Sequence, residues 1–191
     1  MTDVRPYHHG DLRQAVLAAA VAAITEAGTA GVSLRELARR AGVSHAAPAH
    51  HFGDKAGLLT AVAAEGYDLL ANALTDAQQR TGSFREVGVA YVRFAIEHRA
   101  HFEVMYRPDL YHADDPVVRA ARGRAADALY SGIGSLPDGR AGQDVRLVGV
   151  AAWSLVHGFA TLWLTGALPA GLGDDPETAA RAVAGILFRA P

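Results

Sequence analysis

The sequence predicts an all-α protein of about nine helices. Apolar residues recur three and four apart along most of the chain, the spacing of one helix face. Glycines and Asp-Pro pairs fall where such helices would stop and start. No alternation of apolar and polar residues runs long enough for a strand, and no internal repeat is visible. The 191 residues are half hydrophobic, enough for one or two small cores.

The first helix is predicted over about Asp11–Ala27, with Leu12, Val16, Ala19, Ala23 and Ile24 facing inward and Gly28 ending it. The stretch from Val32 to Leu59, VSLRELARRAGVSHAAPAHHFGDKAGLL, is the most informative. Ser33 is an N-cap residue, Glu36 completes a capping box, and Val32 and Leu37 stand at the positions of a hydrophobic staple. Leu34, Leu37, Ala38 and Ala41 share one apolar face. Gly42 sits where a left-handed C-cap is wanted, and only Val43 separates it from Ser44, the next N-cap candidate. A second helix follows from about His45 to His51. Gly53 breaks it, and Asp54 caps a long third helix that begins at Lys55 and ends near Thr81-Gly82. Two short helices across so tight a turn cross steeply. That is a helix-turn-helix, the unit that lays one helix in the DNA major groove.

Further along, Phe84, Val87, Tyr91, Phe94 and His98 mark another helix, and Phe102 and Met105 a short one that stops before Pro108. Asp114-Asp115-Pro116 opens a helix through Ala121, Ala125 and Leu129. Asp174-Asp175-Pro176 opens a final one through Val183, Ile186 and Leu187. In each, aspartate takes the N-cap and proline the first helical position. Between them lies the most apolar segment, about Gln143–Gly166.

The helix-turn-helix resembles the DNA-binding domain of TetR-type (tetracycline repressor-like) transcriptional regulators. Leu37-Ala38, Ala41-Gly42-Val43-Ser44, Phe52, Lys55, Leu58 and Leu59 fall in that family's register. Tyr7–Arg13 resembles the lead-in to its first helix. Trp153, His157 and Gly158 resemble a Trp…His-Gly subgroup of its effector domains. The resemblance implies a three-helix DNA-binding domain over residues 1–56 and a ligand-binding and dimerisation domain over 57–191. It also implies the function: a sequence-specific DNA-binding regulator, a repressor released by a small molecule. The implied partners are double-stranded operator DNA, a second copy of the chain and an unidentified small-molecule effector.

The same resemblance places Ser33, Ser44 and Lys55 against the phosphate backbone. Ser33 and Lys55 sit at helix N-termini, which favour phosphate. Arg35 joins Ser33 at the start of its helix. Ala46, Ala47 and Ala49 are small enough to let the second helix approach a groove and touch a thymine methyl. His45, His50 and His51 are its hydrogen-bonding side chains, and Arg5 lies on the N-terminal arm. Ala49 departs from the family, which commonly has a tyrosine there. Pro48 stands deeper in the predicted helix than proline prefers, at the cost of a backbone hydrogen bond.

In the body, Val148, Ala152, Leu155, Phe159 and Leu162, with Val183 and Leu187 of the last helix, are the predicted dimer interface. Gly149, Gly158 and Gly166 would allow close helix crossing. Tyr91, Phe94, His98, Phe102, Tyr106, Trp153 and His157 combine aromatic walls with a few polar groups, the composition of a small-molecule pocket.

Several classes are set aside. With no cysteine there is no disulfide or thiolate zinc site. His98 and His101 with Glu97 or Asp109 lack the spacing of a metal motif. No G-x-S-x-G elbow, phosphate loop or dinucleotide fingerprint occurs, so neither an enzyme nor a cofactor is expected. No secretory signal is visible, which makes the cytoplasm the default. Leu147–Leu168 is long enough to span a membrane, but His157 lies at its centre and polar residues thin it, so no membrane partner is expected. The alternative function is a helical interaction or ligand-binding protein with weakened DNA binding.

Charge narrows the DNA reading. Residues 1–60 carry six Lys+Arg against five Asp+Glu, and the whole chain has a net charge of −2. Affinity must therefore come from placed contacts rather than a broad positive field. His8, His9, His45, His50 and His51 lie in this weakly charged head. Because free histidine titrates near pH 6.5, operator affinity should rise as pH falls toward about 6. Titrations at fixed salt check this, and equal affinity at pH 6 and about pH 8 overturns it.

Overall fold

The computed structural model describes residues 9–131, 133 and 144–187. Among these, nine α-helices and no strand are found: α1 His9–Ala27, α2 Leu34–Arg40, α3 Ala47–Phe52, α4 Lys55–Thr81, α5 Phe84–Glu97, α6 Arg99–Met105, α7 Pro116–Tyr130, α8 Val145–Leu164 and α9 Pro176–Leu187. Short 3-10 turns occupy Thr29–Gly31 and Pro108–Leu110. The all-helical expectation holds. Packing groups the chain into two compact units, Met1–Gly66 with Ala100–Arg119, and Tyr67–Arg99 with Ala120–Pro191.

In the first unit α1 packs against α2 and α3. Val16, Leu17 and Ile24 of α1, Leu37 and Ala38 of α2, and Leu58, Leu59 and Val62 of α4 are almost fully buried. The turn after α2 forms as its glycine demands. Gly42 has φ 66°, its amide donates to the Arg39 carbonyl at 3.2 Å, and the Val43 amide donates to the Ala38 carbonyl at 3.0 Å. This is the paired closure of a Schellman motif.

Two starts differ from the sequence reading. Ser33 stands at the N-cap of α2, but its side chain makes no cap hydrogen bond. The Glu36 carboxylate, which would supply the other half of a capping box, is taken by Arg39 Nη2 at 2.6 Å and Arg40 Nε at 3.1 Å. Helix α3 begins at Ala47, two residues later than expected, with Ala46 rather than Ser44 at its N-cap. Pro48 explains the shift. It falls in the first turn, where the missing N–H has no intrahelical partner to lose, so the predicted cost vanishes.

The α3–α4 junction is tighter than the sequence suggested. Gly53 has φ 76°, and Asp54 Oδ1 accepts the Gly57 amide at 2.8 Å, capping α4. A Cβ at Gly57 would lie 1.9 Å from the Phe52 carbonyl oxygen.

In the second unit α5 packs against α8 and α9. Tyr91, Phe94 and Val87 of α5 are buried, and Phe84, Ile133, Val148 and Ala152 form one core cluster. Arg181 of α9 reaches Glu86 of α5 at 3.0 Å and Glu177 at 3.1 Å. Both predicted Asp-Pro starts form. Asp115 Oδ1 accepts the Val117 amide at 2.8 Å, and Asp175 accepts the Glu177 and Thr178 amides at 3.2 and 3.1 Å. The α8 helix is long and apolar enough to cross a membrane by composition. Its buried face, Val148, Ala152, Val156, Phe159 and Ala160, packs within the unit. Gly149 admits Tyr130 and Ile133, whereas Gly166 ends the helix with φ 67°, and no atom within 4 Å would meet a side chain at Gly158.

Glycine-to-alanine changes inside exposed helices usually stabilise by up to about 1 kcal/mol. Gly57→Ala should reverse that sign and cost about 1–3 kcal/mol, because the opposing atom is backbone and cannot move aside. Urea unfolding checks it.

Candidate nucleic-acid interface and effector site

The recognition helix presents two unlike sides. Pro48 and Phe52, one turn apart, point into the core, and Phe52 is 9% exposed. The guanidinium of Arg13 on α1 lies 5.3 Å from the Phe52 ring centroid, a cation–π distance that pins the end of α3 to α1. Ser44, His45, Ala46, Ala49 and His50 are exposed, and Ala47 and His51 are half-buried. The His50 and His51 rings meet edge to face at 5.4 Å. Around this face Ser33 and Arg35 are exposed and Lys55 is half-buried at the start of α4. Arg5 lies outside the described residues.

Charge is arranged around this face rather than spread over it. Glu36 is bound by both Arg39 and Arg40, and Arg40 Nη1 also reaches Glu26 of α1 at 2.7 Å. Hydrogen bonds from Arg39 and Arg40 hold the Glu36 carboxyl down to about 2, so this cluster stays ionised throughout the physiological range. Two of the head's arginines are thereby neutralised locally, leaving Arg13, Arg35 and Lys55 as the other Lys and Arg residues among the described residues up to 60.

The aromatic residues of the body divide. Trp153 Nε1 donates to the Tyr91 hydroxyl at 3.2 Å, and Tyr91 Oη lies 2.9 Å from His157 Nδ1. Burial pushes the His157 imidazole below its usual value. The Tyr91 hydroxyl thus bridges the Trp153 indole N–H and the His157 imidazole. Tyr91 is fully buried, while Trp153 and His157 are half-buried. Phe94 stacks with His98 in the same unit at 5.1 Å. Phe102 and Tyr106 pair in the other unit, also at 5.1 Å.

The residues predicted for the dimer face divide by burial. Val148, Ala152 and Phe159 are buried in the chain's own core and are not available to a partner. Leu162 is exposed, and Leu155 and Val183 are half-buried. The side chain of Leu187 lies outside the described residues. Among the described residues of α8 and α9, the exposed large apolar side chains are Leu147, Val150, Leu162 and Ile186. A spacing of three and four does not distinguish the two sides, because α8 is apolar nearly all round. The exposed pair Leu147 and Val150, three apart, was the available signal.

Residues 84–186 match the family model described as tetracyclin repressor-like, C-terminal domain, and residues 16–62 match that of bacterial regulatory proteins, tetR family. The chain belongs to the TetR family. It is a DNA-binding transcriptional regulator, not an enzyme. A Rhodococcus sp. RHA1 protein described as of unknown function is 34% identical to this regulator, with a TM-score of 0.80 and 97% of each chain covered. The TetR family transcriptional regulator PfmR from Thermus thermophilus is 25% identical, with a TM-score of 0.69 over 91% of this chain and 96% of that one. LfrR from Mycobacterium smegmatis, solved in complex with proflavine, shares the fold at 19% identity and a TM-score of 0.66, with 93% and 94% covered. No match is found among the curated protein sequences.

The buried state of His157 in this regulator carries a pH signature. Its folded pKa is depressed, so below about 6.5 the unfolded chain binds the proton more readily. That contribution to stability is complete above the unfolded value and is lost as pH falls through the folded one. Thermal melts from pH 7.5 to about 5 should therefore fall further in wild type than in His157→Asn, by a few degrees. Parallel curves would refute the assignment.

Proposed function

We propose that this regulator is a homodimeric repressor that grips operator DNA through α3 and releases it when a small molecule occupies the body. The observation that carries the reading is the two-sided α3 with the turn before it, Pro48 and Phe52 anchoring the helix while Ser44, His45 and Ala46 of the turn and Ala49 and His50 of the helix are exposed. Alanines allow close approach to the groove floor, and the two histidines supply hydrogen bonds to bases or phosphates. Ser33, Ser44 and Lys55 anchor phosphates, with Arg35 beside them. Residues 1–56 thus contain the DNA contacts, and 57–191 the effector and dimer functions. Family members bind operator DNA, dimerise and bind small-molecule effectors. Here the Trp153–Tyr91–His157 chain, with Phe94 and His98, forms the polar and aromatic part of the effector site. The exposed stripe Leu147, Val150, Leu162 and Ile186 is the dimer contact. The protein acts in the cytoplasm.

One observation favours a second reading, a helical interaction protein with weak DNA binding. Arg39 and Arg40 are tied to Glu36 and Glu26, and Ala49 offers no polar contact.

Selection from a random duplex pool by the full-length protein separates the two. A repressor dimer enriches an inverted repeat whose half-site centres lie about 34–36 Å apart or a multiple of it. A folded dimer that enriches nothing at low salt supports the interaction protein. On the enriched site, Lys55→Ala should weaken binding similarly for matched and mismatched sequences and reduce the salt slope by about 1.

A further inference from the structure

Helix α6 follows α5 in the chain yet packs with the N-terminal helices. His101, 5% exposed, donates from Nε2 to Glu65 Oε2 on α4 at 2.9 Å. The other carboxylate oxygen of Glu65 accepts from Gln14 Nε2 on α1 at 3.3 Å. Two residues beyond His101, Glu103 Oε1 accepts the backbone N–H of Thr29 at 3.4 Å, in the turn that leads into α2. Gly66 makes the approach possible. A Cβ there would lie 2.6 Å from Met105 Sδ and 2.9 Å from the His101 Cβ. After α6, the Tyr111 hydroxyl donates to the Met105 carbonyl and the His112 amide to Thr60 Oγ1, each at 3.0 Å.

We propose that the α6 segment, residues 100–112, is part of the DNA-binding body, and that Glu65 and His101 are positioning residues for the helix-turn-helix. The inference rests on the operator-binding reading. Glu65 lies on the helix that begins at Lys55, directly after the recognition helix, and Glu103 grips the entry to α2. One short helix thus braces both ends of the DNA-reading unit. A directional, largely buried hydrogen bond suits this role, because sliding α6 along α4 would leave polar groups unpaired, whereas an apolar contact would tolerate the slip.

The test uses full-length protein and the duplex it selects. His101→Leu should weaken operator binding roughly tenfold. His101→Gln, whose amide still donates to Glu65, should return to within about threefold of wild type. The salt slope should stay unchanged in both, because no phosphate contact is lost. Hydrogen exchange gives a second readout without DNA. In Glu65→Leu, which removes the acceptor that His101 Nε2 uses, amides of α6 and of Thr29–Leu37 should exchange faster together, while those of α8 and α9 stay as in wild type. Wild-type affinity in a folded His101→Leu, failure of His101→Gln to recover, or faster exchange confined to α6 overturns the proposal. A wild-type protein that selects no sequence overturns instead the operator-binding reading beneath it.

Discussion

The head of this protein turns on the passage of Gly57 under the Phe52 carbonyl, where no side chain fits. From Phe52 to Gly57 the chain closes one helix, reverses through a left-handed glycine, caps the next on Asp54 and begins α4. Phe52 is held in the core and under Arg13. Its burial sets the rotation of α3, and that rotation sends Ala46, Ala49 and His50 outward. The same junction sets where Lys55 emerges. A slack connection would leave the exposed residues of α3 and the cation at the head of α4 without a common orientation, and DNA recognition depends on phosphate and base contacts made in one register.

The electrostatics of the head follow a related logic. A nearly balanced set of charges could not hold DNA by field alone. Arg39 and Arg40 are engaged with Glu36 and Glu26, which ties α2 to α1. These arginines act as structural cross-links at the surface, each worth little alone. The recognition face is left small, weakly charged and histidine-bearing. Discrimination on such a face comes from fit and a few hydrogen bonds.

The helix ends were legible in the sequence to a residue or two. Gly28, Gly42 and Gly53 close their helices with positive φ, and the two Asp-Pro pairs open α7 and α9. These signals are local, a backbone conformation or a side chain reaching its own neighbouring amide, so no distant residue alters them. Two helix starts differ, each for its own reason. Ser33 and Glu36 had the spacing of a capping box, but Arg39 and Arg40 compete for the carboxylate. Ser44 had the chemistry of an N-cap, but Pro48 holds the helix start two residues later.

The sequence by itself determined that the chain is helical and where most helices stop, because those properties reside in spacing and in capping chemistry. Only the tertiary structure decided which side of α8 is core. Val148, Ala152 and Phe159 turn inward and Leu147, Val150 and Leu162 outward, since a helix apolar nearly all round has no phase until α5 and α9 pack against it. The same holds for α6, whose place beside α1 and α4 depends on Glu65, Gly66 and Thr29, partners far away in sequence. Periodicity tells a helix that it has a face. Burial against particular neighbours tells it where that face belongs.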